Sequence, residues 1–246
     1  MAKATVTAVI VSKGLESMLR DCTVALSDAI AVVDSRVEVR VVVVDNGSEQ
    51  PYEIERLPGV NQVIRLDDGR SFSAASNLAA RSEPSDLILL LNNDVFLHSD
   101  ALVEMLDLIS SPSVGVVGAR LVFPDRTIQH CGVVMTPRGP HHDYRLMRTE
   151  TVSRAPRFVP AVTGAAMLIR SELFRRLGGL SEEYNFGSED IDFCLRARQE
   201  GFRIACAQAV DSVHLEGQTP GRISLDGPAR LVFSQQWEGR YSVDGE

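Results

Sequence analysis

The sequence predicts an α/β fold with a mostly parallel central sheet flanked by helices. Three observations carry that expectation. Short, β-branched runs alternate in the first half with segments whose apolar residues recur at helical spacing. The runs are apolar throughout rather than alternating, as strands covered on both faces are. Most of them end in clusters of Asn, Asp, Ser or Gly that favour turns.

Residues 6–12 are the first run, closed by Lys13-Gly14, and residues 15–33 follow as a helix with Leu15, Met18, Leu19, Cys22, Leu26 and Ile30 on one side. Residues 39–44 make a second strand, stopped by Asp45-Asn46-Gly47-Ser48. A third strand is expected over 60–66, a short helix over 72–81, a fourth strand over 87–91 and a helix from Ser99. The second half is less regular. Residues 114–123 and 128–135 read as strands joined by Pro124-Asp125-Arg126, and 162–169 as another. Ser171 is expected to cap a helix that reaches Leu177 and stops at Gly178-Gly179. Residues 189–200 read as a helix with Ser188 as its cap, and 228–241 carry a weaker helical pattern. Residues 136–157, rich in Pro, Gly, Arg and His, show little periodicity, which suits a functional or mobile stretch. A single domain over 1–246 is expected: a ligand-binding half over about 5–125, a second half over about 126–218, and a tail over 219–246.

The 246 residues carry 25 Lys and Arg against 33 Asp and Glu, a net charge of -8, which argues against a nucleic-acid or membrane-surface binder. No apolar run approaches the roughly 20 residues of a membrane helix, and the first residues lack the apolar core of a secretory signal. Cys22, Cys131, Cys194 and Cys206 lie far apart among apolar neighbours, so buried free thiols are expected rather than a zinc site or disulfide framework.

Parallel sheets bind ligands at the carboxyl ends of their strands. Asn92-Asn93-Asp94 directly follows such a strand and reads either as a turn cluster or as a site for a hard divalent cation. Asp45 reads either as a local turn former or as an acceptor for a ribose or base. Glu189 and Asp190 suit a helix's first turn through its dipole, and equally a general base. His214, His130, His141 and His142 carry no metal-ligand spacing of their own; the adjacent pair cannot share one helical face.

Taken in order, seven blocks resemble the inverting nucleotide-sugar glycosyltransferases of family 2, which have the GT-A fold. They are VVVVDNGS at 41–48, FSAASN at 72–77, LLLNNDV at 89–95, TIQHCGVV at 127–134, VTGAAMLIR at 162–170, EDIDFCLRA at 189–197 and Val213-His214. The similarity is to the bacterial branch with rhamnosyltransferases and other cell-surface polysaccharide enzymes. It implies transfer of a hexosyl or deoxyhexosyl unit from a UDP-, dTDP- or GDP-linked donor to a glycan or lipid-linked acceptor. Asp94, last of the Asn92-Asn93-Asp94 motif, would bind Mn²⁺ or Mg²⁺ together with His214. Asp190 would be the base, with Glu189 beside it. Val11, Ser12, Lys13, Asp45, Asn77, Asn92, Asn93 and Gly164 would line the nucleotide-sugar site.

Lys13 stands where the family often has an aromatic, and Ser71 and Ala79 where it often has glycine. These departures bear on nucleotide choice. His141, His142 and Arg145 are expected on the acceptor side. A cytoplasmic location is expected, peripheral to the inner membrane face where the acceptor is a lipid. The rival readings are a sugar-phosphate nucleotidyltransferase, which would need a glycine-rich basic loop where Ser12-Lys13-Gly14-Leu15 stands, and a non-catalytic nucleotide- or glycan-binding module. The lack of GxGxxG after the first strand argues against a dehydrogenase.

Overall fold

A computed structural model describes residues 3–184, 187–217 and 222–244, with backbone alone for 222–227. The predicted boundary of the tail at 218–219 lies outside the described residues. The strands are β1 (Ala4–Ser12), β2 (Val37–Asn46), β3 (Gln62–Leu66), β4 (Leu87–Asn92), β5 (Val95–Phe96), β6 (Val114–Val122), β7 (Ile128–His130), β8 (Val133–Thr136), β9 (Gly139–His142), β10 (Arg157–Phe158), β11 (Ala166–Arg170) and β12 (Arg203–His214). The helices are α1 (Glu16–Val33), α2 (Phe72–Ser82), α3 (Ser99–Ile109), α4 (Ser171–Arg176), α5 (Glu189–Gln199) and α6 (Arg222–Trp237).

The main sheet runs β10-β12-β6-β11-β4-β1-β2-β3, with β5 beside β12 and β7 beside β6. β1 pairs parallel to both β2 and β4, and β3 parallel to β2, while β11 runs antiparallel between β4 and β6. This is the mostly parallel α/β sheet the sequence predicts, and both halves of the chain supply its strands. The continuous apolar runs divide by parity. Val41, Val43, Leu89 and Leu91 join the core under α1 and α3, with Leu19, Leu26 and Met105; Val42, Val44, Ile88 and Leu90 join the other, with Ala75, Phe174, Phe193 and Phe233 from α2, α4, α5 and α6. Register then sets the ligand edge: Ser12 lies level with Asp45, and Val11 with Asn92.

Several expectations change in the second half. The run over 128–135 is split into β7 and β8 at Gly132, whose φ of 119° suits glycine and where a Cβ would lie 2.6 Å from Val159 Cγ1. The run over 162–169 enters the sheet only at Ala166; just before it, Ala165 gives its carbonyl to the Asn92 amide and Gly164 gives its amide to Asp190. β12 escapes the sequence reading because Gln208, Asp211 and Ser212 interrupt its apolar pattern, where its register against β6 shifts. Ser171 is the first residue of α4 and caps nothing, and Ser188 has φ 73° with no side-chain cap bond. Ser71 does cap α2, accepting from the Ala74 amide.

Residues 136–157 are anchored. β9 pairs with β8, and the fully buried Arg120 donates to the Thr149 and Ser153 carbonyls at 2.9 and 3.0 Å while meeting Asp211 at 2.8 Å. All four cysteines are buried and unpaired. Among the described residues no helix is long and apolar enough to cross a membrane.

Candidate active site

The carboxyl end of β4 turns through Asn93 and Asp94 into β5, and β5 pairs with the end of β12 so that Val95 faces His214. That register brings the Asp94 side chain against His214 across the turn. Asp94 Oδ1 lies 3.0 Å from His214 Nε2, and both side chains are under 10% exposed. Their backbones are joined too, Leu215 donating its amide to the Asp94 carbonyl at 3.1 Å. On the far side of the imidazole, Nδ1 meets Gln129 Oε1 at 2.5 Å.

Asp190 comes to the same rim from the first turn of α5. Its Oδ2 accepts from the Gly164 amide at 2.7 Å and its Oδ1 from the Ile191 amide at 2.8 Å, which fixes the plane of the carboxylate. The next residue, Ala165, holds the Asn92 amide through its carbonyl at 2.8 Å, so two consecutive peptide units connect Asp190 to the strand end that carries Asp94. A Cβ on Gly164 would sit 3.3 Å from Asp190 Cβ, tighter than such contacts usually run. Glycine here lets the carboxylate approach the backbone.

Glu189 is 7% exposed and its Oε2 has no hydrogen-bond partner. Burial, with Asp190 beside it, pushes its carboxyl up to about 8. Between the ordinary glutamate range and that value the folded protein keeps a proton that the unfolded chain has released, so stability falls as pH rises through the window. Glu189→Gln carries no charge at any pH. Melting curves are therefore expected to show wild type losing stability relative to Glu189→Gln between about pH 5 and about pH 8; curves that stay parallel would refute the assignment.

His130 and His142 stand against this rim, their Nδ1 atoms 2.9 Å apart and their rings edge-to-face. Thr163 donates its amide to His130 Nε2 at 3.4 Å, which leaves the His130 proton on Nδ1, aimed at His142. Burial holds both imidazoles below their usual range; Asp190 partly opposes this at His142. His142 thus borders the rim that carries Asp190, whereas His141, next along β9, is exposed. Arg145 braces the same region: it bonds Glu216 at 2.8 Å, donates to the Gln129 carbonyl at 3.3 Å and lies over the Phe123 ring.

Two of the expected nucleotide-contacting side chains are already committed. Asp45 is fully buried, accepts from the Ser48 and Tyr52 amides and pairs with Arg65 at 2.6 Å. Burial alone would raise its carboxyl, but the Ser48 and Arg65 contacts hold it below the usual range. Asn77 spends its amide on the Leu180 carbonyl and Glu182, and accepts from the Leu180 amide, so it tethers the loop after α4. In both, the buried bonds fix the side chain in place. Ser12 and Asn93 form a network of their own, Asn93 donating to Ser12 Oγ at 2.8 Å and Ser12 meeting the Tyr52 hydroxyl at 2.8 Å. Val11 and Asn92 are partly exposed at the strand ends and Lys13 is exposed beyond them. A separate groove lined by Arg81, Glu83, Ser85, Phe174 and Arg175 opens near the amino end of β4. Sequence reasoning missed Arg65, Tyr52 and Gln129; only Gln129 had a signal, as part of the TIQHCGVV block.

The donor set fits a divalent cation. Gln129 Nε2 faces two oxygens, the His214 carbonyl at 3.4 Å and Glu216 Oε2 at 3.3 Å, so its Oε1 is the atom at His214 Nδ1. An amide oxygen only accepts, and Nδ1 must supply the proton. With Nε2 bare, the imidazole turns a lone pair toward a carboxylate oxygen 3.0 Å away, an arrangement that a cation shared by the two satisfies.

Residues 3–225 match the family model described as Glycosyltransferase like family 2. The O-antigen biosynthesis protein RfbC of Myxococcus xanthus is 30% identical over 194 residues, which cover 72% of this chain and 15% of that protein. GalNAc-T7, solved with UDP, GalNAc and Mn²⁺, superposes with a TM-score of 0.70 at 16% identity, over 96% of this chain and 48% of that one. The mannosyltransferase PcManGT of Pyrobaculum calidifontis, solved with GDP-Man and Mn²⁺, gives 0.68 at 18% identity, over 99% and 66%. The chain thus spans well under a quarter of RfbC. The likeness to these solved structures places the fold as GT-A.

Proposed function

The chain belongs to glycosyltransferase-like family 2, and from that premise we propose that it is a metal-dependent inverting glycosyltransferase of polysaccharide or glycoconjugate synthesis. The observation that carries the reading is the shared rim, where Asp94 and His214 meet at 3.0 Å and Asp190 is bonded to the backbone adjoining the same strand end. Asp94 and His214 would hold Mn²⁺ or Mg²⁺. When bound, such an ion offsets negative charge on a departing diphosphate as a Lewis acid.

Asp190 performs the step assigned to this chain. Its carboxylate, oriented by the Gly164 and Ile191 amides, takes the proton of the acceptor hydroxyl as that oxygen bonds the anomeric carbon. The bond from the anomeric carbon to the diphosphate oxygen breaks in the same displacement, the electron pair leaves with the nucleoside diphosphate, and configuration inverts once. Glu189, buried with an unpartnered oxygen, stands ready to bond a substrate hydroxyl. The presence of GDP-Man and of UDP with GalNAc in the two similar structures supports a nucleotide-linked donor, and the likeness to RfbC supports a cell-surface glycan as product.

The test is incubation with UDP-, dTDP- and GDP-sugars, with Mn²⁺ or with chelator, following release of nucleoside diphosphate. Slow hydrolysis of one nucleotide class is expected, dependent on the metal, with the freed sugar of inverted anomeric configuration by NMR. Nucleotide binding with no turnover of any donor would point instead to a binding module. Pyrophosphate release from a nucleoside triphosphate and a sugar phosphate would point to a nucleotidyltransferase.

A further inference from the structure

The metal-facing histidine has two neutral tautomers, and the fold makes them compete. With its proton on Nε2, His214 would donate to Asp94 Oδ1 at 3.0 Å and satisfy that carboxylate without any cation. With its proton on Nδ1, it donates to Gln129 Oε1 and leaves Nε2 a free donor of electrons. Which state prevails decides whether the pair is ready for a metal or closed on itself.

We infer that Gln129 is a positioning residue that holds His214 in its Nδ1–H tautomer, keeping the Nε2 lone pair toward Asp94 for the cation. The inference rests on the metal reading of this pair given above. Its basis is the orientation of one amide group. Rotating the Gln129 amide by half a turn would set Oε1 against the His214 carbonyl and the Glu216 carboxylate, three acceptors with no proton between them. The observed orientation avoids this and presents Oε1 to Nδ1 at 2.5 Å, a contact between two buried groups.

The amide is itself held in place. Gln129 lies in β7, whose pairing with β6 fixes its backbone. Arg145 donates to the Gln129 carbonyl at 3.3 Å and bonds Glu216 Oε2 at 2.8 Å, the same carboxylate oxygen that Gln129 Nε2 faces. A single guanidinium therefore sets both the backbone of Gln129 and the acceptor that orients its side chain. Outer partners of this kind govern ligand tautomer and affinity in histidine metal sites, and their loss typically weakens metal binding about 10–100-fold.

The test uses the full chain, labelled with ¹⁵N-histidine, without metal and at alkaline pH, where two-bond ¹⁵N–¹H correlations distinguish the tautomers. The expected result for wild type is a protonated Nδ1 and a bare Nε2 at His214. Gln129→Leu is expected to move the proton to Nε2 and to weaken Mn²⁺ binding, read by electron paramagnetic resonance in the presence of nucleoside diphosphate, by about 10–100-fold. Gln129→Met, close to Gln in length but without an amide oxygen to accept from Nδ1, is expected to shift the tautomer as Gln129→Leu does, which separates hydrogen-bond acceptance from mere packing. A wild-type His214 protonated on Nε2, or a Gln129→Leu variant with unchanged tautomer and unchanged Mn²⁺ affinity, overturns the inference. A wild type with bare Nε2 that binds no Mn²⁺ would instead sink the metal reading and leave the tautomer assignment standing.

Discussion

Asp190→Asn is expected to lower turnover of the preferred nucleotide sugar by about 10²–10⁴-fold, the usual contribution of a positioned general base. The substitution is nearly isosteric, and the amide oxygen can still accept from the Gly164 amide that now bonds Oδ2 at 2.7 Å. What disappears is the capacity to take a proton. Binding of the nucleoside diphosphate with metal should therefore stay close to wild type by calorimetry, and the melting temperature should fall only slightly, for the loss of the bond that the Ile191 amide gives Oδ1. A variant with turnover within about tenfold of wild type would remove Asp190 from the role of base. The contrast between intact binding and lost chemistry also separates this outcome from simple misfolding.

The second large effect belongs to Asp94. Asp94→Ala removes one of the two protein ligands proposed for the cation, and turnover should drop by about 10²–10³-fold, as it does when a preorganised electrostatic partner of a developing charge is removed. Here binding falls together with chemistry. Wild type saturated to 100 times Kd with Mn²⁺ and nucleoside diphosphate should gain about 2.7 kcal/mol in stability through ligand linkage. The Ala variant should gain far less at the same concentrations, and raised Mn²⁺ should restore part of the loss. An Ala variant that keeps the full metal-dependent rise in melting temperature would place the cation elsewhere.

The first half of the fold was readable because its strands are doubly buried. Val41 to Val44 feed two cores in turn, which requires an unbroken apolar run. The second half is held by polar burial, which leaves no periodic trace. Arg120, with no exposed surface, fastens a segment that looks loose in sequence, and Asp211 beneath it interrupts the pattern of β12. At the site, the residue types of Asp94, Asp190 and His214 were legible as chemistry, but their convergence depends on the pairing of β5 with β12 and on the Gly164–Asp190 bond, both of which join distant stretches of chain. The partners of Asp45 and Asn77 were hidden for the same reason: their bonds to Arg65 and to the 180–182 loop also join distant stretches of chain.

α5 owes its footing to α6. Asp192, wholly buried two residues after the proposed base in α5, accepts from Trp237 Nε1 and Gln236 Nε2 at 2.9 Å each and pairs with Arg196 at 2.8 Å. α6 is thereby bolted to the element that carries the proposed proton acceptor. Replacing Gln236 and Trp237 with alanine would leave Asp192 Oδ1 without its two donors and loosen the seat of its neighbours, so damage in α6 is expected to be felt first as slower turnover.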